Sequence, residues 1–375
     1  MTVADSGAPR LTVCGAGAAG MAVAADCALK GLEVTLFDLP PFADVIRGVA
    51  DKGGVEVTPD SDTTAGKTGL ARLAAATTDA AVAVDRADLV MITAPAMYHD
   101  TIMDAVAPQL RDGQIVLFAT GYWGSLRQAR RFEGALPDVT LAESNIMPYI
   151  CQMRGEAVDV GRSKRSFHVA AFPGERSDSV FEVLGHVYSQ YRPAASVVET
   201  NLAAGGNPPI HVTLLIPIAG FYFDRFLGGK FYQDATGPGM RLVEGFDAER
   251  RRLSQRLGSA WFESQHEFDE RAYGYKVDDL GAALRGSPHS DWYASAAYLE
   301  QVCSEDLVYS YVPMVRLGEA VGVDVTLTRG MVEVFGAMLG RDYWSEGVGL
   351  EALGLDRLDA DEIREYVMTG RAPRM

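Results

Sequence analysis

The segment Leu11-Thr-Val-Cys-Gly-Ala-Gly-Ala-Ala-Gly20, with Glu33-Val-Thr-Leu-Phe-Asp38 after it, constrains the fold of this chain more than any other feature. An apolar run enters a glycine turn, a stretch of small residues follows, and a second apolar run ends on a carboxylate. Gly15 suits a tight turn out of a first strand, Gly17 lets backbone approach a pyrophosphate, and Gly20 lets the next helix pack closely on the sheet. The N–H groups at the start of that helix, around Ala18 and Ala19, are then available to phosphate oxygens. Asp38, eighteen residues beyond Gly20, stands where a carboxylate accepts hydrogen bonds from the adenosine ribose. Its charge repels a 2′-phosphate, which favours NAD, with NADP as the alternative. A glycine-rich turn in an unrelated α/β protein is the competing explanation.

With 375 residues, 48% of them hydrophobic, the chain can bury an ample core and is expected to divide in two. Its first half alternates apolar strands with helical segments, the pattern of a parallel sheet covered by helices. The expected strands are Leu11–Cys14, Glu33–Phe37, Leu89–Thr93, Gln114–Phe118 and Phe167–Ala171. After the third comes Ala94-Pro-Ala-Met-Tyr-His99, where Pro95 cannot continue the ladder and where doubly wound sheets bind their ligands. From about Asn201 the texture is helical, including Met240–Leu257 and Met331–Leu339, while Gly281–Ser290 reads as a surface loop. The expected division is a Rossmann NAD(P)-binding domain at 1–197 and a mainly helical substrate and catalytic domain at 198–375.

The formal charge of −16 argues against general binding to nucleic acid or anionic membranes. The longest apolar region, Val212–Phe223, is too short to span a bilayer, and the N-terminus lacks the apolar run of a secretory signal, so a cytoplasmic protein is expected. Cys14, Cys27, Cys151 and Cys303 lie far apart, which implies neither a zinc site nor a disulfide framework.

Chemistry is concentrated in Gly205-Gly-Asn-Pro-Pro-Ile-His211-Val-Thr-Leu-Leu-Ile-Pro217. Asn207 is a suitable N-cap and Pro208 suits a first helical position, which puts His211 in the first turn of a buried helix. The helix dipole disfavours imidazolium there unless a carboxylate compensates. Such a pair can exchange a proton with substrate; a core histidine bonded to backbone is the plainer alternative. His99 reads as a loop histidine satisfying backbone, His168 as structural, and Arg162-Ser-Lys-Arg165 as a solvated turn. Tyr122 and Trp123 are candidates to line a cofactor cleft. Trp261, Phe262, Phe268, Tyr273 and Tyr275 are expected to pack a core or pocket.

A third segment, Glu300-Gln-Val-Cys-Ser-Glu-Asp306 with Val312-Pro313 after it, joins these in a resemblance to the octopine/nopaline (opine) dehydrogenase family. Asn207 with His211, Thr93-Ala-Pro-Ala96 with His99, Pro148-Tyr149, Val243-Glu-Gly-Phe-Asp247-Ala-Glu-Arg250 and Leu339-Gly-Arg-Asp-Tyr343 occur in that family's order, and the resemblance covers nearly the whole chain. It implies a Rossmann domain joined to a helical opine dehydrogenase domain, and reductive condensation of an amino acid with a 2-oxo acid through an imine. His211 is then the acid/base residue, Asp306 its orienting carboxylate, and Asn207 a neighbour of substrate or nicotinamide. Amino acid and 2-oxo acid are the implied partners, and a homodimer is the assembly considered.

Two departures bear on substrate. Where the family commonly has an arginine five residues before the dyad aspartate, this chain has Gln301. A second family arginine is replaced by Gln152, with Arg154 two residues later as a substitute. Glutamine cannot supply the charge-assisted fork that holds a carboxylate. These positions, with Asn207, form the expected substrate set. The competing functions are an imine reductase of a specialised-metabolite pathway, a ketopantoate-like reductase of 2-oxo acids, and a non-catalytic NAD-binding regulator. The second normally uses a helical lysine, and here only Lys230 and Lys276 stand in the second half, both in loop-like contexts.

Overall fold

In chain order the strands are β1 (Leu11–Cys14), β2 (Val34–Phe37), β3 (Gly54–Val57), β4 (Gly69–Arg72), β5 (Ala75–Thr77), β6 (Leu89–Ile92), β7 (Ile115–Phe118), β8 (Thr140–Ser144), β9 (Tyr149–Arg154), β10 (Ala157–Ser163), β11 (Phe167–Phe172) and β12 (Tyr191–Pro193). The structure, a computed structural model, describes residues 8–226, 228–274, 279–287 and 290–371. It comprises two compact units, Met1–Ala195 and Ser196–Met375.

In the first unit eight strands form one sheet, ordered β12-β11-β8-β7-β6-β1-β2-β5. The fully buried runs of β1, β6 and β7 read as continuous apolar stretches because helices cover both faces. Those helices are α1 (Ala18–Leu29), α2 (Ala43–Lys52), α3 (Ala80–Val84), α4 (His99–Val106), α5 (Gly124–Arg131) and α6 (Ser177–Gly185). Pairing is parallel except between β8 and β11. Phe167–Phe172 is thus a strand as expected, but an antiparallel one: the chain leaves β8 through the β9–β10 hairpin rather than through one helical crossover, and returns in the opposite sense.

That hairpin belongs to a second sheet, ordered β4-β3-β10-β9, which the alternation pattern did not reveal. A buried carboxylate ties it to α1. Asp26 accepts from the Tyr149 hydroxyl at 2.6 Å and from the Ala65 N–H at 2.8 Å, with Lys30 3.0 Å away. A charge this deep persists only with such compensation.

The second unit is helical: α7 (His211–Leu215), α8 (Gly237–Arg256), α9 (Gln265–Tyr273), α10 (Leu280–Arg285), α11 (Ala296–Asp306), α12 (Val312–Val321), α13 (Thr326–Leu339), and three further helices toward the C-terminus. Leu280–Arg285 corrects the expectation of a loop at Gly281–Ser290. The Asp279 side chain caps Ala282 N–H, and Leu280, Ala283 and Leu284 bury one face. No helix among the described residues is long and apolar enough to cross a membrane.

Candidate active site

His211 opens α7, three residues later than a helix capped by Asn207 would place it. The reason is local. A residue preceding proline is pushed out of the helical region, and here Asn207 and Pro208 both precede one. The chain makes a turn instead, closed by Ile210 N–H donating to the Asn207 carbonyl at 2.9 Å. Asn207 therefore caps nothing, and its side chain, half-buried, makes no hydrogen bond among the described residues.

The Nδ1 atom of His211 lies 2.9 Å from Oδ2 of Asp306. Asp306 is the last residue of α11, whose start is capped by Ser295, and is wholly buried. Beyond it the helix loosens into a π turn, Leu307–Tyr311, before α12 begins, a local irregularity common at functional sites. With a carboxylate accepting at Nδ1, that atom carries the proton of neutral imidazole, and Nε2 presents the exchangeable lone pair. Nε2 meets no partner among the described residues, and the side chain keeps 10% of its surface exposed. The pair can thus accept and return a proton at one defined atom.

In the first unit, Gly15 has φ +113°, and a Cβ there would sit 3.1 Å from Ala94 N. At Gly20 a Cβ would lie 1.7 Å from the Gly15 carbonyl oxygen, so α1 touches the turn directly. Around Gly17 nothing lies within 4 Å of where a Cβ would point. The start of α1, at Ala18 and Ala19, has no side-chain cap and no acidic residue. Asp38, at the end of β2, accepts from Ala16 N–H at 2.6 Å and Leu39 N–H at 2.7 Å. Open space at one glycine, tight contact at two, and uncapped N–H groups together fit a pyrophosphate. Pro95 follows the carboxyl end of β6 in extended conformation. Among the described residues no group of acids, histidines and cysteines could hold a metal ion.

The remaining expected residues are distributed less simply. Gln152 and Arg154 lie on β9, and both donate to Asp159, at 3.1 and 2.6 Å. Burial pushes the Asp159 carboxyl up, but these hydrogen bonds outweigh it and hold the group below the usual carboxylate range. Gln301 is exposed on α11, about 140° around the helix from Asp306 at 100° per residue. Lys164, expected in a solvated turn, is buried, with Nζ donating to the Met147 carbonyl at 2.9 Å. Lys230 pairs with Asp291 at 2.7 Å; Lys276 and Tyr275 lie outside the described residues. All four cysteines are free, and burial pushes their thiols up, Cys27 and Cys151 to about 12, so none is a poised nucleophile.

His99 is not on a loop but begins α4. Its Nε2 lies 3.2 Å from the Ala94 carbonyl, and its ring packs on Phe118 at 5.0 Å. Burial, with help from the nearby Arg127 charge, pushes its pKa down to about 3. His168 is buried within β11. Tyr122 and Trp123 are buried with left-handed φ of 49° and 60°, a strained turn at the end of β7. That strain has no signature in the sequence. Phe268 and Tyr273 are in the core, while Trp261 and Phe262 are half-buried.

These two units are those of a dehydrogenase that works with a nicotinamide nucleotide. Residues 193–339 match the family described as NAD/NADP octopine/nopaline dehydrogenase, alpha-helical domain, and residues 9–130 match the acetohydroxy acid isomeroreductase NADPH-binding domain. The helical unit thus carries the domain of the octopine/nopaline dehydrogenase family, oxidoreductases acting on CH–NH groups. The chain is 29% identical to an opine dehydrogenase of Arthrobacter sp. (strain 1C) over 95% of this chain and 98% of that one. In fold it is similar to an octopine dehydrogenase solved with NADH and agmatine, with a TM-score of 0.77, 16% identity, and 98% and 99% of the two chains covered. A ketopantoate reductase from Ralstonia eutropha JMP134 superposes less closely, with a TM-score of 0.51 at 18% identity over 88% of this chain and 98% of the other.

Proposed function

We propose that the protein is an NAD(P)H-dependent opine dehydrogenase that joins the amine of an amino acid to a 2-oxo acid and reduces the resulting imine. The observation that carries this reading is the buried His211–Asp306 pair, 2.9 Å apart, within the helical region that matches the family. An Arthrobacter opine dehydrogenase similar over nearly its full length supports it. The weak likeness to ketopantoate reductase finds no lysine in support, since the described Lys230 is tied to Asp291.

Gly15, Gly17, Gly20 and the N–H groups at Ala18 and Ala19 would hold the pyrophosphate, Asp38 the ribose, and Pro95 would border the nicotinamide side. When bound, the dinucleotide supplies a hydride. His211, neutral, takes a proton from the substrate ammonium at Nε2, freeing the nitrogen lone pair to attack the carbonyl carbon. The imidazolium returns that proton to the oxygen, which leaves as water as the nitrogen gives up a second proton, and an iminium remains. Hydride addition yields a secondary amine, which takes up one proton. Asp306 stabilises the imidazolium in the middle of this sequence and keeps Nδ1 protonated throughout. Asn207, four residues before His211 and with its amide unbonded among the described residues, belongs to the proposed substrate set.

NADH oxidation across a matrix of amino acids and 2-oxo acids, with mass spectrometry of products, tests the reading. Turnover is expected only with both partners present, giving a product whose mass is the sum of the two less one oxygen. Oxidation driven by an oxo acid alone, with a hydroxy acid as product, would identify a simple ketone reductase instead.

A further inference from the structure

The segment leading into His211, from Ala204 to Ile210, is largely buried yet pairs with no strand. Two of its residues are prolines, which have no N–H, and at Gly205 a Cβ would lie 2.3 Å from Cβ of Phe268. Buried backbone without a ladder must find other partners. It finds them in side chains. The guanidinium of Arg250, buried in α8, donates to the Ala204 carbonyl at 2.8 Å. Glu263 accepts from Gly205 N–H at 3.1 Å, and Gln265 from Gly206 N–H at 3.2 Å. The Tyr311 hydroxyl donates to the Pro208 carbonyl at 2.9 Å.

These partners are themselves fixed. Arg250 is held by Asp247 at 3.2 Å and by the Glu263 carbonyl at 3.1 Å, and Arg271 pairs with Glu263 at 2.9 Å. The Tyr311 ring stacks on Phe246 of α8, with centroids 4.5 Å apart and planes 14° from parallel.

We propose that Tyr311 is a positioning residue for the His211–Asp306 pair. Tyr311 follows Asp306 by five residues on one continuous helical run, and Pro208 precedes His211 by three. The Tyr311–Pro208 and His211–Asp306 hydrogen bonds are therefore two rungs between the same two segments. The Tyr311–Pro208 rung fixes where the imidazole ring stands relative to the carboxylate, with the Tyr311 hydroxyl as donor. It is a durable donor, because burial pushes the Tyr311 phenol well above the ordinary tyrosine range. Its hydroxyl touches protein rather than reacting atoms, so its effect on turnover passes through His211.

The inference rests on the acid/base reading of His211, and the test separates the two. Wild type, His211→Ala and Tyr311→Phe are compared in NADH oxidation with the substrate pair that wild type turns over fastest. NADH affinity is measured by fluorescence titration, and the His211 ring signals in 15N-histidine-labelled protein. Tyr311→Phe keeps the stacked ring and removes only the hydroxyl. It is expected to lower kcat by about ten- to a hundredfold, the scale of a small misplacement of a reacting group, with NADH affinity unchanged and the His211 Nδ1–H resonance shifted. Wild-type kcat and an unshifted resonance, with only a lower melting temperature, would show a purely structural bond and overturn the proposal. Undiminished turnover in His211→Ala would overturn the dyad itself. Should Tyr311→Phe not fold, site-specific replacement of Tyr311 by 3-fluorotyrosine keeps ring and hydroxyl and alters only the strength of the donor to the Pro208 carbonyl. An unchanged kcat together with an unshifted His211 Nδ1–H resonance there would equally sink the idea.

Discussion

The carboxylate of Asp38 accepts a hydrogen bond from the Ala16 N–H at 2.6 Å, so the acid ending β2 is bound to the glycine turn leaving β1. A carboxylate offers about four acceptor positions; Ala16 and Leu39 use two, leaving two for ribose hydroxyls. In the proposed cofactor pose that charge would repel a 2′-phosphate. NADH is therefore expected to bind more tightly than NADPH, although the N-terminal family match is to an NADPH-binding domain. Titration with both cofactors checks this. Asp38→Ala should narrow the difference while loosening the turn, and a wild-type preference for NADPH would refute the assignment.

The glycines separate binding from folding. Gly17→Ala adds a methyl group to open space, so its melting temperature should stay close to wild type while NADH affinity falls. Gly20→Ala forces a methyl group against the Gly15 carbonyl, 1.7 Å away before relaxation, and should destabilise the first unit, by about 1–3 kcal/mol as overpacking commonly does. Calorimetry together with cofactor titration distinguishes the two. Equal NADH affinity in Gly17→Ala and wild type would mean that the pyrophosphate lies elsewhere.

For the dyad, His211→Ala should reduce turnover by roughly a hundredfold or more while NADH still binds. Asp306→Asn preserves a hydrogen-bonding side chain but removes the charge that stabilises imidazolium, and should inflict much of the same loss. Because the two act as a unit, the double variant should be far from additive. Near-normal turnover in His211→Ala would assign the proton to another group.

Much of this was legible in the sequence because each signal was short and local. The glycine turn, the apolar strands and the acid eighteen residues on are contiguous, so their physics acts within one βαβ unit. The pairing of His211 with Asp306, ninety-five residues apart, came only through family resemblance, since no local pattern brings distant helices together. The β9–β10 hairpin was missed because its strands mix exposed polar residues with glycine and belong to a small sheet. Asn207 failed as a cap because two prolines in succession outweigh a good capping residue. The helix overlapping Gly281–Ser290 has no clear signature because it is only six residues long, contains Gly281, and is followed at once by Gly286 and Ser287.

His99 makes stability depend on pH. Its pKa is about 3 when folded and that of an ordinary histidine, about 6.5, when unfolded, so the unfolded chain binds the extra proton between these values. Its contribution is thus complete above about pH 6.5 and is lost as pH falls toward 3, with a slope of up to about 1.4 kcal/mol per pH unit. Denaturant midpoints measured from pH 7 to 4 should fall less steeply in His99→Gln than in wild type. Parallel profiles would show that the buried imidazole does not govern acid sensitivity.

The choice of oxo acid turns on charge. Gln301 stands where the family commonly has an arginine, Gln152 replaces a second, and Arg154 already donates to Asp159. A lost charged hydrogen-bond pair is worth about 1.5–3 kcal/mol, roughly ten- to more than a hundredfold in affinity. Pyruvate with a small amino acid is accordingly expected to be a poor pair, and a larger or less anionic partner a better one. Because Gln301 is exposed on α11, Gln301→Arg should leave the melting temperature nearly unchanged, so a gain in kcat/KM for pyruvate would report the restored charge rather than a change in fold. The same variant should compromise the native pair. If wild type already turns over pyruvate with alanine or norvaline at micromolar to low-millimolar KM, another group binds the carboxylate and the two glutamines do not mark a changed substrate.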